Sequence, residues 1–340
     1  MKLATLKDGT RDGTLLVASR DLKHAAKADH LAPTLQAALD DWDYAAPLLE
    51  QLSNELNDGA APSQSSHAFE LDPKQLMAPL PRAYQWLDGS AYLNHIELVR
   101  KARGVEMPAD LKRDPLMYQG ASDAFIGPCD DILCRSEDWG IDLEAELVVV
   151  LGDVPMGVDA DKAGQHIRLL ALANDVSLRN LIPAELSKGF GFLNGKSWTA
   201  FSPVAVTPDE LGEAWDGKRV HLPLISQVNG ELLGKPNCGV DMSFHYRRLI
   251  AHAAKTRALS AGTVLGAGTV SNRDRSTGCG CLAEKRAIEA IQQGKPSTAF
   301  LKFGDRVKIE MLDAEGRSIF GAIDQQVAQY GAQYGVKSAA

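Results

Sequence analysis

Short β-like segments follow one another irregularly along most of this chain, and their order limits the fold more than any other feature. They are bounded by turn residues and comprise Glu146–Leu151, Val204–Val206, Val220–Asn229, Thr263–Val270 and Val307–Met311. Helical spacing predicts helices over Ala91–Ala102, Ala160–Ala173, Ser243–Lys255 and Leu282–Gln293. Because strands and helices do not alternate regularly, the order disfavours a doubly wound parallel sheet and indicates a β-rich chain.

The first 68 residues have a pattern of their own. Leu3–Leu6 and Thr14–Ala18 predict a hairpin, and the apolar spacing from Pro33 to Leu56 predicts a helix. The small, polar stretch Ala60–Ser66 is typical of a linker. We therefore predict a small N-terminal α/β module over 1–68 and a main domain over 69–335.

Charge and cysteine content limit the partners and the compartment. The net charge is −8 over 340 residues, without a block of Lys or Arg to neutralise phosphates, so we expect no nucleic-acid partner. Five cysteines and a start that lacks an apolar signal segment predict reduced thiols in the cytoplasm. No apolar run is long enough to span a bilayer, so we predict a soluble protein with no membrane partner.

Two glutamates carry the strongest chemical signal. Glu144 and Glu146 are two positions apart in a strand-like run, so their side chains point the same way and repel each other. An isolated pair of this kind usually lies on a solvated sheet face, whereas a hard divalent cation would relieve the repulsion. Asp175 follows the apolar run Leu169–Ala173, where capping and metal ligation both favour a carboxylate. The pattern alone leaves these alternatives open.

Four short motifs, in this order, resemble the fumarylacetoacetate hydrolase family. They are Glu144-x-Glu146, Asn174-Asp175-Val176-Ser177-Leu178-Arg179, Gly195-Lys196-Ser197 and Gly268-Thr269-Val270-Ser271. The resemblance extends from about Pro79 to Val327. It implies an α+β, β-rich fold, a mixed β-sandwich roll with flanking helices, in which the catalytic domain occupies 69–335. It also implies a homodimer.

The resemblance assigns roles to individual residues. It implies one Mg²⁺ or Ca²⁺, with Mn²⁺ as a third candidate, held by Asp88, Glu144, Glu146 and Asp175. It implies a catalytic group in which His95 is the base, Glu284 its partner and Lys196 an oxyanion stabiliser. It implies substrate contacts from Tyr118, Arg103 and Thr269. From the residues alone, Asp88 is also typical of a helix cap and His95 of a surface histidine.

The implied function is metal-dependent hydrolysis of a carbon–carbon bond in a small anionic 1,3-diketone acid. A divalent ion polarises a carbonyl and neutralises an enolate, and a histidine titrates near neutral pH. Fumarylacetoacetate, cleaved to fumarate and acetoacetate in tyrosine and other aromatic-compound degradation, is the implied substrate. The alternatives are an acylpyruvate hydrolase, an oxaloacetate-type decarboxylase or hydratase, and a structural calcium-binding protein. The family's fumarylacetoacetases carry a glutamine and a tyrosine where Leu181–Leu186 has neither, which leaves the substrate open.

Overall fold

The computed structural model describes residues 1–58, 68–102, 104 and 106–331. Its strands are β1 (Lys2–Leu6), β2 (Thr14–Ala18), β3 (His24–Lys27), β4 (Ala68–Glu70), β5 (Trp86–Gly89), β6 (Met117–Gly120), β7 (Ile132–Cys134), β8 (Ile141–Asp142), β9 (Ala145–Leu151), β10 (Ile167–Leu178), β11 (Lys196–Phe201), β12 (Ala205–Val206), β13 (Ile225–Val228), β14 (Glu231–Gly234), β15 (Val264–Gly266), β16 (Arg306–Glu310) and β17 (Ile323–Gln329). Its α-helices are α1 (Leu35–Asp40), α2 (Trp42–Asp58), α3 (Leu93–Ala102), α4 (Ala160–Ala163), α5 (Ile182–Leu186), α6 (Tyr246–Ala253) and α7 (Leu282–Gln293).

Two mixed sheets organise the described part of the chain. The larger sheet has the order β4-β3-β2-β1-β12-β10-β9-β15-β5-β6, and β8 and β11 also pair with β10. The smaller sheet has the order β14-β13-β16-β17-β7. Neighbouring strands are antiparallel except for the pairs β15/β5 and β17/β7, which are parallel. The β-rich α+β architecture with flanking helices is thus confirmed.

Strand β10 separates two hydrophobic cores. Its even-numbered residues Leu170 and Leu172 pack into one core, and its odd-numbered residues Leu169 and Ala171 pack into the other. The helix predicted over Ala160–Ala173 is therefore wrong: α4 ends at Ala163 and the apolar run is this strand. A strand buried on both faces has a continuous apolar sequence, which spacing alone cannot distinguish from a buried helix.

The N-terminal segment joins the larger sheet directly. The predicted hairpin of β1 and β2 is confirmed, and β1 also pairs with β12. The single helix predicted from Pro33 to Leu56 is divided into α1 and α2. The predicted linker at Ala60–Ser66 lies outside the described residues. Because the sheet is continuous from β4 to β6, the division of the chain at 68–69 stays a prediction.

The α-helices of the described residues are amphipathic or short. None of them combines the length and the apolar character needed to cross a membrane.

Leu172→Ala should destabilise the protein strongly, because Leu172 is fully buried in a central strand. Loss of such a side chain leaves a cavity and costs about 2–5 kcal/mol of the free energy of unfolding. Urea denaturation followed by circular dichroism measures this change. Leu232→Ala is the control, since that leucine is 56% exposed and should shift the free energy by no more than about 0.5 kcal/mol. Equal effects of the two changes would contradict the position assigned to β10.

Candidate metal centre and active site

Four carboxylates meet on one face of the larger sheet. Asp88 lies on β5, Glu146 on β9 and Asp175 on β10, while Glu144 immediately precedes β9. Each of them offers an oxygen that lies within 4.8 Å of the oxygens offered by the others. All four residues are at most 6% exposed. The acidic residues that the sequence analysis assigned to a metal are therefore brought together, although 87 positions separate the first from the last.

A glycine makes room for this cluster. Gly266 on β15 pairs with Asp88 on one side and Val148 on the other. A Cβ atom at Gly266 would lie 2.6 Å from Asp88 Oδ1, too close for any side chain. The absence of a side chain therefore leaves the space into which the Asp88 carboxylate projects. The backbone N–H of Gly268 donates a hydrogen bond to Asp88 Oδ1 at 3.0 Å.

Two cations hold part of the cluster. Lys196 Nζ donates to Glu144 Oε2 and to Asp175 Oδ2, both at 2.6 Å. Arg179 forms ion pairs with Glu144 at 2.6 Å and with Asp142 at 2.8 Å. Burial alone raises the pKa of Glu144, but Lys196 and Arg179 outweigh burial and hold that pKa well below its usual value. Burial lowers the pKa of Lys196, yet the charges of Asp175 and Glu144 raise it overall. The ammonium group and the Glu144 carboxylate are therefore both charged at neutral pH.

Two hydroxyl groups fix the carboxylate of Asp175. Thr199 Oγ1 donates to Asp175 Oδ1 at 2.8 Å, and the Tyr118 hydroxyl donates to Asp175 Oδ2. Tyr118, predicted as a substrate contact, thus also bonds a member of the acidic cluster. Sequence analysis missed Thr199, whose place follows from the pairing of β10 with β11, in which it lies opposite Asp175.

The other two acids lack such compensation. Among the described residues, neither carboxylate oxygen of Glu146 has a hydrogen-bond partner, although the side chain is fully buried. Burial, and then the charges of Asp88, Asp175 and Glu144, raise the pKa of Glu146 well above its usual value. Burial and the charge of Asp175 likewise raise the pKa of Asp88 to about 8.

The cluster fits a divalent metal ion. An unpartnered buried carboxylate beside three others is costly unless a cation compensates it. The donors offered are all carboxylate oxygens, the type that hard ions such as Mg²⁺ and Ca²⁺ prefer. The residues present therefore suit a hard divalent ion better than a thiolate-binding metal.

His95 and Glu284 form a hydrogen-bonded pair. His95 Nδ1 lies 2.9 Å from Glu284 Oε2, and Glu284 is fully buried. Ser271 Oγ donates to the other Glu284 oxygen at 2.9 Å and accepts from Asn94 Nδ2 at 2.6 Å. Sequence analysis did not assign Asn94 or Ser271. Ser271 lay inside a motif that was noted, and Asn94 is the neighbour of His95.

One cavity of about 190 Å³ is lined by members of both groups, namely Asp88 and Glu144 of the acidic cluster and His95 of the pair. It is lined by Asp88, Ser90, Tyr92, His95, Val99, Tyr118, Glu144, Arg179, Ile182, Leu186, Phe192, Lys196, Gly268, Thr269 and Ala283. Thr269, predicted as a substrate contact, is thus placed at the cavity wall. Arg103, the third predicted contact, lies outside the described residues.

Comparison with known families accounts for nearly all of the chain. The model described as fumarylacetoacetate (FAA) hydrolase C-terminal matches residues 85–328. The model described as fumarylacetoacetase N-terminal domain 2 matches residues 1–82.

Individual relatives are distant. The chain is 26% identical over 215 residues to "oxaloacetate tautomerase fahd2, mitochondrial" of Xenopus laevis, and the match covers 62% of this chain and 62% of the relative. It is 27% identical over 230 residues to 2,4-didehydro-3-deoxy-L-rhamnonate hydrolase of Sphingomonas sp. (strain SKA58), covering 66% of this chain and 69% of the relative. The matches thus span about half to two thirds of the length of these curated relatives.

A solved structure has the same fold. Maleylpyruvate hydrolase from Sphingobium sp. SYK-6, in complex with manganese (II) ion and pyruvate, superposes with a TM-score of 0.63 at 17% identity. The superposition covers 97% of this chain and 99% of that chain.

Glu146→Gln should weaken the binding of Mg²⁺ or Mn²⁺, because it removes one charge from the cluster. Loss of a residue that merely supports a ligand costs about 10–100-fold in affinity, and loss of a ligand should cost at least as much. Isothermal titration calorimetry of the EDTA-treated protein measures this. In the metal-free state the same variant should be no less stable than the wild type, since it removes a buried charge without a partner.

The control is Glu55→Gln, a change on the exposed side of α2. Equal metal affinities of the wild type and the Glu146 variant would contradict the proposed metal centre.

Proposed function

Because this chain belongs to the fumarylacetoacetate hydrolase family, we propose that it hydrolyses a carbon–carbon bond in a small 1,3-diketone acid. The observation that carries the proposal is that Asp88 and Glu144 of the acidic cluster line the same cavity as His95, which is paired with Glu284. A metal-binding group and a base directed at the same small space are what hydrolysis of a diketone requires.

Asp88, Glu144, Glu146 and Asp175 would hold the metal ion. When bound there, a divalent ion supplies Lewis acidity, which polarises the carbonyl oxygens of a chelating keto acid and stabilises enolate charge. Mg²⁺, Ca²⁺ and Mn²⁺ all suit the oxygen donors. The solved maleylpyruvate hydrolase is in complex with manganese (II) ion and pyruvate, which supports a divalent ion and a keto acid as ligands for a chain of this fold.

His95 would act as the base. Its Nδ1 faces Glu284, which leaves Nε2 as the ring nitrogen available to a water molecule. His95 takes a proton from water, and the water oxygen forms a bond to the acyl carbonyl carbon. The bond between that carbon and the central methylene then breaks, and its electron pair remains on the enolate that leaves. Return of the proton from His95 to the enolate carbon completes a methyl ketone and a carboxylic acid.

Glu284 would hold the His95 ring in position, and Lys196 would stabilise negative charge that develops on the substrate. The buried Glu284 carboxylate orients the His95 ring and stabilises its protonated form. Lys196 uses two of its three N–H bonds on Glu144 and Asp175, and it lines the cavity with the third available to a developing oxyanion. Thr269 and Tyr118 also line the cavity and would contact the substrate.

Chemistry on oxaloacetate is the second candidate. The similarity to a protein named oxaloacetate tautomerase favours keto–enol conversion at the same cluster, and decarboxylation would use the same enolate. Neither reaction requires a base that activates water for attack on a carbonyl. Homodimer formation, a cytoplasmic location and a role in tyrosine degradation stay predictions.

Hydrolysis should depend on both metal and His95. We expect the diketone absorbance of fumarylacetoacetate or of an acylpyruvate to decay with Mg²⁺, and EDTA to abolish the decay. His95→Ala should lower kcat by about 10²–10⁴-fold, the range for loss of a general base. A spectrophotometric assay measures each rate.

His221→Ala provides a matched control. His221 also pairs with a carboxylate, Asp216, at 2.9 Å, but it is 45% exposed and does not line the cavity. Full activity of the His95 variant, or equal losses in both variants, would contradict the role of His95. Turnover of oxaloacetate alone would favour the second candidate, and metal binding without any turnover would favour a structural calcium site.

A further inference from the structure

Three side chains that do not line the cavity continue the His95–Glu284 pair. Glu284 Oε1 accepts a hydrogen bond from Ser271 Oγ at 2.9 Å, and Asn94 Nδ2 donates to the same hydroxyl oxygen at 2.6 Å. Asn94 Oδ1 in turn accepts from Arg275 Nη2 at 3.1 Å. Asn94, Ser271 and Glu284 are at most 3% exposed, whereas Arg275 is exposed. A row of hydrogen bonds therefore leads from the protein surface to His95.

The orientation of the Asn94 amide is fixed from two sides. The Arg275 guanidinium can only donate hydrogen bonds, so the Asn94 atom that faces it is the acceptor oxygen. The backbone carbonyl of Asn272 can only accept, and Asn94 Nδ2 donates to it at 3.0 Å. Both neighbours require the same orientation, which presents an N–H group, and not an acceptor, to Ser271.

The Ser271 hydroxyl then has one direction for its proton. A hydroxyl group has a single O–H bond to donate, and Ser271 Oγ already accepts from Asn94, so its proton goes to Glu284 Oε1. The other oxygen, Oε2, accepts from the Nδ1–H group of His95. A neutral imidazole with its proton on Nδ1 has an unprotonated Nε2, which is the form that can take a proton from water.

We propose that Asn94 and Ser271 are positioning residues of the active site, which keep the proton of His95 on Nδ1 by fixing the Glu284 carboxylate. Without the Ser271 hydroxyl, one oxygen of this buried carboxylate lacks a donor, and the carboxylate is free to turn away from His95. His95 then also adopts the form with its proton on Nε2, which cannot act as the base. The effect on turnover rests on the hydrolase function proposed above, whereas the effect on the His95 ring does not.

A purely structural role of the same residues predicts a different result. Asn94 lies on α3 and Ser271 follows β15, so their hydrogen bond also fastens the helix to that segment. Loss of this fastening alone would lower the stability of the protein without moving the proton of His95 between its two ring nitrogens. The protonation pattern of the ring therefore distinguishes the two roles.

Nitrogen NMR of the full chain, labelled with ¹⁵N at histidine, measures that pattern directly. Protonated and unprotonated ring nitrogens resonate far apart, and comparison with His95→Ala assigns the His95 signals among those of the eight histidines. At about pH 8.5, above the ordinary titration range of histidine, we expect a protonated Nδ1 and an unprotonated Nε2 in the Mg²⁺-loaded wild type. Ser271→Ala should move the two signals towards each other and lower kcat about 10–100-fold, with little change in KM.

Asn94→Asp tests the direction of the hydrogen bonds. The new side chain has the same shape but only accepts hydrogen bonds while it is ionised, and Arg275 beside it favours the ionised form. The Ser271 proton should then turn from Glu284 to the new carboxylate. The His95 signals and kcat should therefore change as they do in Ser271→Ala.

Ser202→Ala is the matched control. Ser202 is also fully buried, accepts a hydrogen bond from the backbone N–H of Leu172 at 3.0 Å and donates one to the carbonyl of Val204 at 2.9 Å. It does not line the cavity. The change should lower the midpoint of urea denaturation, as Ser271→Ala does, but leave the His95 signals and kcat unchanged.

The two proposals fail in different ways. Unchanged His95 signals in the Ser271 variant, or equal changes in the Ser202 control, would overturn the inference and leave the hydrolase function intact. A change in Ser271→Ala but not in a folded Asn94→Asp would overturn the role of Asn94. Displaced signals in Ser271→Ala, when the wild type hydrolyses no diketone, would support the positioning role and refute the hydrolase function.

Discussion

Mutual repulsion among four buried carboxylates is the constraint to which the rest of the site responds. Lys196 bridges Glu144 and Asp175, Arg179 compensates Glu144 from the other side, and Thr199 bonds Asp175. Within the part of the chain that the structure describes, neither oxygen of Glu146 has a hydrogen-bond partner. Protein cations therefore stabilise one half of the cluster and leave the other half uncompensated. A divalent ion bound there would couple the stability of this region to metal binding.

The larger sheet gives this cluster its rigidity. Strands β9 and β10 are buried on both faces, so their side chains are fixed by two cores at once. The His95–Glu284 pair comes instead from two helices, α3 and α7, and His95 lines the same cavity as Asp88 and Glu144. Sites supported by packed elements hold their geometry better than sites on free loops. Two apolar side chains of α5, Ile182 and Leu186, line the same cavity.

The sequence analysis identified the acidic residues of the cluster but not Thr199, which donates a hydrogen bond to one of them. Glu144 and Glu146 stood out as like charges at strand spacing, and Asp175 as one acid after an apolar run. Thr199 gave no signal, because only the register of β10 against β11 places it beside Asp175. The helix predicted at Ala160–Ala173 failed for a related reason: burial on both faces removes the alternation that reveals a strand.

The sequence by itself determined the chemical groups and their local order: carboxylates at strand spacing, a histidine seven positions after Asp88, and motifs that identify the family. These features persist in any arrangement of the chain because they depend only on neighbours along it. Tertiary structure alone decided that Asp88, Glu146 and Asp175 share one face, that two cations pair with the cluster, and that Ile182 and Leu186 of α5 line the same cavity. Those facts depend on pairing between strands far apart in the chain, and local spacing carries no information about such pairing.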